Sequence, residues 1–317
     1  MVIYEPRASA ILYNFLKTYD TSKTFILPAN ICPIVPLTLL KASKKFEFID
    51  ITLHDYCLDR EKVLYVINKH PQKYAGIIFV HTYGAIQDTE NFYEDIKRIN
   101  KEILIIDDRC LCIPETNYDY KESSQDLTIF STGYAKYVDF GYGGFGFLNK
   151  KIKYHKFHLD YDEEDLLRIT KQYKKCIKDK ERFIYKDNNW LDNTKFKFSK
   201  AEYFQRIKNG IGEASRVKKE INKIYREKLP QSIFLPGKFQ NWRFNILIPN
   251  KEKIIKEIFN AGLFASSHYN SLVPLFFNSE AEKASYLQKR IINLFNDKYF
   301  SSDKAKKICK IINKYII

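Results

Sequence analysis

Lys136 stands between an apolar run that ends at Phe130–Ser131 and a glycine cluster, Gly141, Gly143 and Gly144. A lysine at a strand end, among apolar and aromatic neighbours, becomes a usable nucleophile and base when it is desolvated. The natural partner of such an amine is a carbonyl. Another apolar run, 102–108 (EILIIDD), ends in Asp107 and Asp108. A carboxylate there can hold an aromatic ring nitrogen protonated. Ser131 offers a hydroxyl, and the start of the first helix around Ala8 and Ser9 offers backbone N–H groups, the donors that a phosphate needs. An amine, a carboxylate and a phosphate cradle together suit pyridoxal phosphate, whose ring accepts electrons from a carbanion.

These residues must be positioned by the elements around them. Apolar residues at helical spacing predict a helix over 7–19. The run 24–28 reads as a strand stopped by Pro28, 33–42 as a helix started by prolines, 46–51 as a strand, and 59–69 as a helix opened by Asp59. Residues 76–84 form an apolar strand ending in a glycine turn, and 88–100 a helix with Asp88 as its N-cap. Runs 102–108, 126–132 and 143–149 complete the strands of this part. Continuously apolar strands alternating with helices predict a mainly parallel sheet covered on both faces. Ligands then bind beyond the carboxyl ends of the strands, where His81–Gly84, Asp107–Asp108 and Ser131–Lys136 all fall. Residues 160–228 read as helical and Lys-rich, 244–249 as a strand, 254–262 as a helix stopped by Gly262, and 302–317 as a helix with Ser302 and Asp303 as cap candidates. The reading is a large unit over 1–229 and a small α+β unit over 230–317.

The bulk numbers narrow the function. The chain has 317 residues, 15% of them aromatic, which excludes a disordered chain. No apolar run reaches the roughly 20 residues of a membrane span, and the N-terminus has neither the basic region nor the cleavage site of a secretory signal. These features predict a soluble cytoplasmic protein. The six cysteines form no CxxC pair, so no metal is expected. The formal net charge of +15 fits a nucleic-acid binder or an enzyme with a phosphorylated substrate. The lysines are interleaved with acids, as on a solvated helix surface, which favours the enzyme over the nucleic-acid binder.

The motifs resemble those of the DegT/DnrJ/EryC1/StrS family, sugar aminotransferases of pyridoxal-phosphate fold type I. The segment 130–136 (FSTGYAK) is similar to the family's lysine segment, 141–144 (GYGG) to its GEGG, 105–110 (IIDDRC) to its E-D segment, and 80–84 (VHTYG) to its histidine turn. Residues 27–51, 262–269 and 285–295 resemble further family stretches. The resemblance implies an α/β fold with a mostly parallel seven-stranded sheet and a small C-terminal α+β domain. It implies that Lys136 joins the pyridoxal 5'-phosphate aldehyde and that Asp108 faces the ring nitrogen. Ala8, Ser9, Cys32, Ser131 and Asn193 then belong to the cofactor site, Asn193 reaching the neighbouring subunit's phosphate. His81, Tyr83, His268 and Tyr269 are substrate-side candidates. The implied reaction moves an amino group from an amino acid, glutamate being the expected donor, to a nucleotide-linked keto-sugar in glycan or polysaccharide synthesis, within a homodimer that shares its active sites. Leu111 stands where the family carries Gln or His, Arg109 where it carries a small residue, and Tyr142 where it carries Glu. Positions 30–32 offer no aromatic ring to stack on the cofactor, and the family's N-terminal arm is largely missing. These departures leave open a non-transaminating enzyme with the same cofactor and a fold-retaining binding or regulatory protein.

Overall fold

The structure, a computed structural model, describes residues 1–117 and 123–316. In chain order its elements are β1 (Val2–Glu5), α1 (Ala8–Thr18), β2 (Thr24–Pro28), α2 (Ile34–Lys41), β3 (Lys45–Ile49), α3 (Arg60–Lys69), β4 (Tyr74–Val80), α4 (Glu90–Ile99), β5 (Leu104–Asp108), β6 (Leu127–Ser131) and β7 (Gly144–Leu148). Then follow α5 (Glu163–Asp179), α6 (Lys200–Lys228), β8 (Phe244–Leu247), α7 (Lys251–Asn260), β9 (Ala265–Ser266), α8 (Val273–Phe276), α9 (Glu282–Gln288), β10 (Ile291–Leu294) and α10 (Ser302–Asn313).

Seven strands form one sheet in the order β1-β7-β6-β5-β4-β2-β3. Strands β3, β2, β4, β5 and β6 run parallel, whereas β7 is antiparallel to β6 and β1 to β7. Strands β2, β4, β5 and β6 are mostly apolar and buried, with all seven residues of β4 buried, whereas the edge strand β3 (KFEFI) alternates polar and apolar residues. Successive side chains leave a strand on opposite faces. Leu104 and Ile106 therefore join the core under α1 and α2, while Ile103 and Ile105 join the one under α3 and α4. Burying one such isoleucine contributes about 1.5–3 kcal/mol. The same alternation sends Asp107 and Asp108 to opposite faces, and this separates their roles. A second sheet, β8-β10-β9, is antiparallel and shares a core with α7, α10 and the C-terminal half of α6 through Ile221 and Tyr225.

Several local expectations are corrected. Strand β1, four residues long, adds an edge that the hydrophobic pattern did not single out. The N-cap of α4 is Thr89, and Asp88 instead accepts a hydrogen bond from the Glu90 N–H. The cap of α10 is Ser301, whose hydroxyl oxygen accepts from the Lys304 N–H, one residue ahead of the expected candidates. Asp59 caps α3 as expected, accepting from the Lys62 N–H. The helical reading of 160–228 breaks at 180–199, which is irregular and pinned by buried Trp190 and Leu191. No helix of the described residues is long and apolar enough to cross a membrane.

Candidate active site

Beyond the carboxyl ends of β4, β5 and β6 lies a cavity of about 260 Å³. Its wall brings together Ala8, Ser9, Cys32, Asp108, Ser131, Lys136 and Tyr269, seven residues that the sequence singled out. They arrive from separate elements: the start of α1, the turn before α2, the ends of β5 and β6, the loop after β6, and the segment after β9.

The floor is built by register. Val80, Asp108 and Ile129 are neighbours across β4, β5 and β6, and all three line the cavity. One oxygen of Asp108 accepts from the Cys110 N–H at 2.9 Å, which fixes the carboxylate at the strand end. The preceding residue, Asp107, points into the opposite face. There it accepts from His81 Nε2 (2.8 Å), Tyr93 Oη (2.8 Å) and Arg109 Nε (2.7 Å). Burial alone would raise the Asp107 carboxyl; the His81 and Arg109 charges and the hydrogen bonds outweigh it and hold the pKa well below the usual carboxylate range. Arg109, unusual for its position by resemblance, thus has a local reason: it neutralises Asp107 and reaches on to Glu115 at 3.1 Å.

The end of the cavity at α1 is an anion cradle. Helix α1 has no side-chain cap and no acidic residue in its first turn, so the N–H groups of Ala8 and Ser9 carry the positive end of the helix without a counter-charge. Ser131 Oγ accepts from the Gly133 N–H at 3.2 Å, which leaves its O–H free to donate. The glycines explain how β7 passes so close: a Cβ at Gly144 would lie 2.4 Å from the Ala8 nitrogen, and Gly143 takes a φ of +93°. Arg7, which the sequence reading did not select, ties this end together. Its Nη1 donates to the Gly141 carbonyl at 2.6 Å, its Nε lies 3.5 Å from Asp192, and its guanidinium sits 5.8 Å from the Tyr134 ring. Its place directly before the first helix was the available signal.

Lys136 is half-buried on the loop between β6 and β7. The loop is braced on both sides of it: Asp139 accepts from the Ala135 N–H (2.7 Å) and the Gly141 N–H (2.8 Å), and the Trp242 indole N–H donates to the Ala135 carbonyl. Burial raises the Cys32 thiol, and raises Cys110 further with help from the Asp108 charge. Both sulfurs in the wall stay protonated, and the Lys136 amine is the cavity's candidate nucleophile. Leu111 lies buried in the wall and packs with Tyr83 and Tyr269. Tyr269 supplies an aromatic ring to the cavity, although positions 30–32 do not.

Four sequence candidates lie outside the wall. His81 is buried with its ring nitrogens 2.9 Å from the Ala85 carbonyl and 2.8 Å from Asp107, as a structural hydrogen-bonder. Tyr83 is fully buried; its hydroxyl donates to the His268 carbonyl and accepts from the Tyr269 N–H, so it holds Tyr269 in place. His268 keeps a solvent-exposed side; crowding by protein, then the Arg243 and Lys136 charges, push its pKa below the usual imidazole value. Asn193 is buried, and its amide donates to Asn14 Oδ1 (3.1 Å) and the Phe157 carbonyl (2.6 Å) within the same chain.

No family model and no curated protein matches the sequence. Solved structures do. A DegT DnrJ EryC1 StrS aminotransferase from Brucella abortus is 17% identical with a TM-score of 0.68, over 99% of this chain and 85% of that one. A sugar aminotransferase from Micromonospora echinospora is 13% identical with a TM-score of 0.66, over 99% and 87%. A GDP-4-keto-6-deoxy-D-mannose-3-dehydratase from Escherichia coli, determined with bound hydrated PLP, is 13% identical with a TM-score of 0.64, over 98% and 87%. The chain has the fold of these proteins along nearly its whole length, the α/β fold that the motifs led us to expect.

Proposed function

We propose that the chain is a pyridoxal-phosphate-dependent aminotransferase that moves an amino group from an amino acid, glutamate being the favoured donor, to a nucleotide-linked keto-sugar in glycan synthesis. The observation that carries this reading is the meeting of Lys136, Asp108, Ser131 and the uncapped start of α1 in one cavity, at the edge where parallel sheets bind ligands. The residues present fit the cofactor. The Ala8 and Ser9 N–H groups and the Ser131 hydroxyl would hold its phosphate, Asp108 its ring nitrogen, and Lys136 its aldehyde. When bound, the group supplies an electron sink for charge left at the donor's α-carbon. Asp108 would keep a proton on the ring nitrogen, and the Lys136 amine would take the donor's α-proton and deliver it within the site. Val80, Ile129 and Leu111 exclude water from that proton's path.

We read residues 1–229 as the unit that carries the cofactor and 230–317 as a smaller unit that closes the cavity through Tyr269. The working molecule in this reading is a cytoplasmic homodimer. The net charge of +15 suits a diphosphate-bearing acceptor. The direct test is a half-reaction: the reconstituted protein, given L-glutamate, should release one 2-oxoglutarate per site, and Lys136→Ala should release none. Absence of 2-oxoglutarate from the reconstituted wild type, with every other amino acid equally inert, would refute transamination.

A further inference from the structure

Across the 133–141 loop from the first cavity lies a second cleft of about 100 Å³, and Ala135 and Lys136 belong to its wall as well. Its far side holds two buried cations, Lys218 and Arg243, 5% and 7% exposed. Among the described residues neither forms an ion pair with a carboxylate. Lys218 Nζ donates to the Trp242 carbonyl (2.8 Å) and Asn296 Oδ1 (2.9 Å). Arg243 donates from Nη1 to Ser266 Oγ. Its guanidinium lies 4.7 Å from the Trp242 ring and 3.8 Å from the Phe295 ring. The two aromatic contacts fix the guanidinium, and among the described residues only its Nη1 donates to a protein acceptor. Asp297 and Asp139 act on both cations only from beyond ion-pair distance; a buried cation without a contacting carboxylate is costly, and the cleft beside these two is where one can enter. Asp139, Glu213 and Asp297 also line the cleft. Asp139 accepts from Ala135 and Gly141, and Asp297 from the Tyr299 N–H.

We infer that this cleft binds a carboxylate of the amino donor, with Arg243 as its fork-shaped partner and Lys218 adding charge behind it. The inference rests on the reading of Lys136 as the cofactor lysine, and it names which substrate group each side of that lysine receives. Size selects the class. About 100 Å³ suits the head of an amino acid. The three carboxylates in the wall oppose a polyphosphate. The paired N–H edge of a guanidinium matches a carboxylate in two parallel hydrogen bonds. The site is also joined to the chemistry. Trp242, beneath Arg243, donates to the carbonyl of Ala135, the residue before Lys136, so a carboxylate on Arg243 is held against the ring that braces the lysine.

The test uses succinate, a dicarboxylate without an amine, titrated into the full chain while tryptophan emission is followed. Trp242 lies in the cleft; the other tryptophan, Trp190, is buried in the core under α1 and gives a constant background. Succinate should change the emission saturably, Arg243→Gln should weaken binding about 30-fold, and Arg243→Lys should recover part of the loss. Lys218→Met should weaken it as well, and carries the test if the arginine variant does not fold. An unresponsive wild type, unchanged succinate binding in the folded variants, or a loss confined to the response to UDP would overturn the inference. Borohydride labelling with added pyridoxal phosphate, run in parallel, separates the two readings. A wild type labelled at Lys136 but silent to succinate sinks the cleft alone, and an unlabelled wild type sinks the cofactor reading.

Discussion

Two buried charge clusters are built on opposite rules. Under the sheet, Asp107 is surrounded by His81, Arg109 and Tyr93, and every charge has a partner within 3.1 Å. Across the loop, Lys218 and Arg243 are also buried, yet among the described residues they contact only neutral acceptors and aromatic faces, with Asp139 and Asp297 beyond ion-pair distance. A neutralised cluster stabilises the fold that carries Asp108. A cluster without its counter-charge leaves room for one to arrive with a substrate. Pairing, more than burial, therefore separates scaffold from site here, and Lys136, which has no acidic partner among the described residues, falls on the site side.

The contrast can be broken at both ends. Lys136→Ala should lower amine transfer roughly a thousand-fold or more and leave the urea midpoint unmoved, because the side chain anchors nothing; a shifted midpoint would assign the lysine to the scaffold. Asp107→Asn should do the reverse. Leaving His81 without its carboxylate, and Arg109 with Glu115 alone, should cost about 3–5 kcal/mol of unfolding free energy. A loss below about 1 kcal/mol would mean that the pairing contributes little. Because the folded-state Asp107 pKa is depressed, its stabilisation is present above the unfolded carboxylate pKa and is lost as pH falls through the folded value. The gap between wild type and Asp107→Asn should therefore hold at neutral pH and close on strong acidification.

Lys218 titrates with the opposite consequence. Burial lowers its pKa from 10.5 to about 8, so the unfolded chain holds more protons than the folded one between those values. The wild type should gain stability relative to Lys218→Met by up to about 3 kcal/mol as pH rises from 8 to 10.5, read from urea melts of both proteins across that window. A flat difference would mean that Lys218 is compensated within the folded chain. The smallest effect sharpens the contrast most: Arg243→Gln should change unfolding free energy by less than about 1 kcal/mol, because losing its contacts offsets losing its desolvation cost. A drop comparable to that of Asp107→Asn would make Arg243 a scaffold residue.

Much of this was legible in the residues. The central parallel strands read as mostly apolar runs because burial on both faces removes the polar alternation, which survives only in the edge strand β3. Asp108, Ser131 and Lys136 follow from motifs at strand ends, Ala8 and Ser9 from the start of the first helix, and Cys32 and Tyr269 from the family resemblance. The split between Asp107 and Asp108 follows from the period of a strand alone. What stayed hidden depends on tertiary contacts. Strand β1 is too short to show a period, and segment 180–199 is held out of helix by the packing of Trp190 and Leu191. Either Asp88 or Thr89 could cap α4 on sequence alone. Arg243 and Lys218 are two of 53 basic residues, and only the fold puts both beside Lys136 with no carboxylate in ion-pair contact among the described residues.

The account stands or falls on Lys136 and Asp108 serving one cofactor. The most direct measurement is mass spectrometry of peptides after pyridoxal phosphate is added and the protein is reduced with borohydride. The expected result is one adduct per chain, on the peptide that carries Lys136, with occupancy sharply reduced in Asp108→Asn. No adduct, or label spread evenly over the surface lysines and indifferent to Asp108, would contradict it.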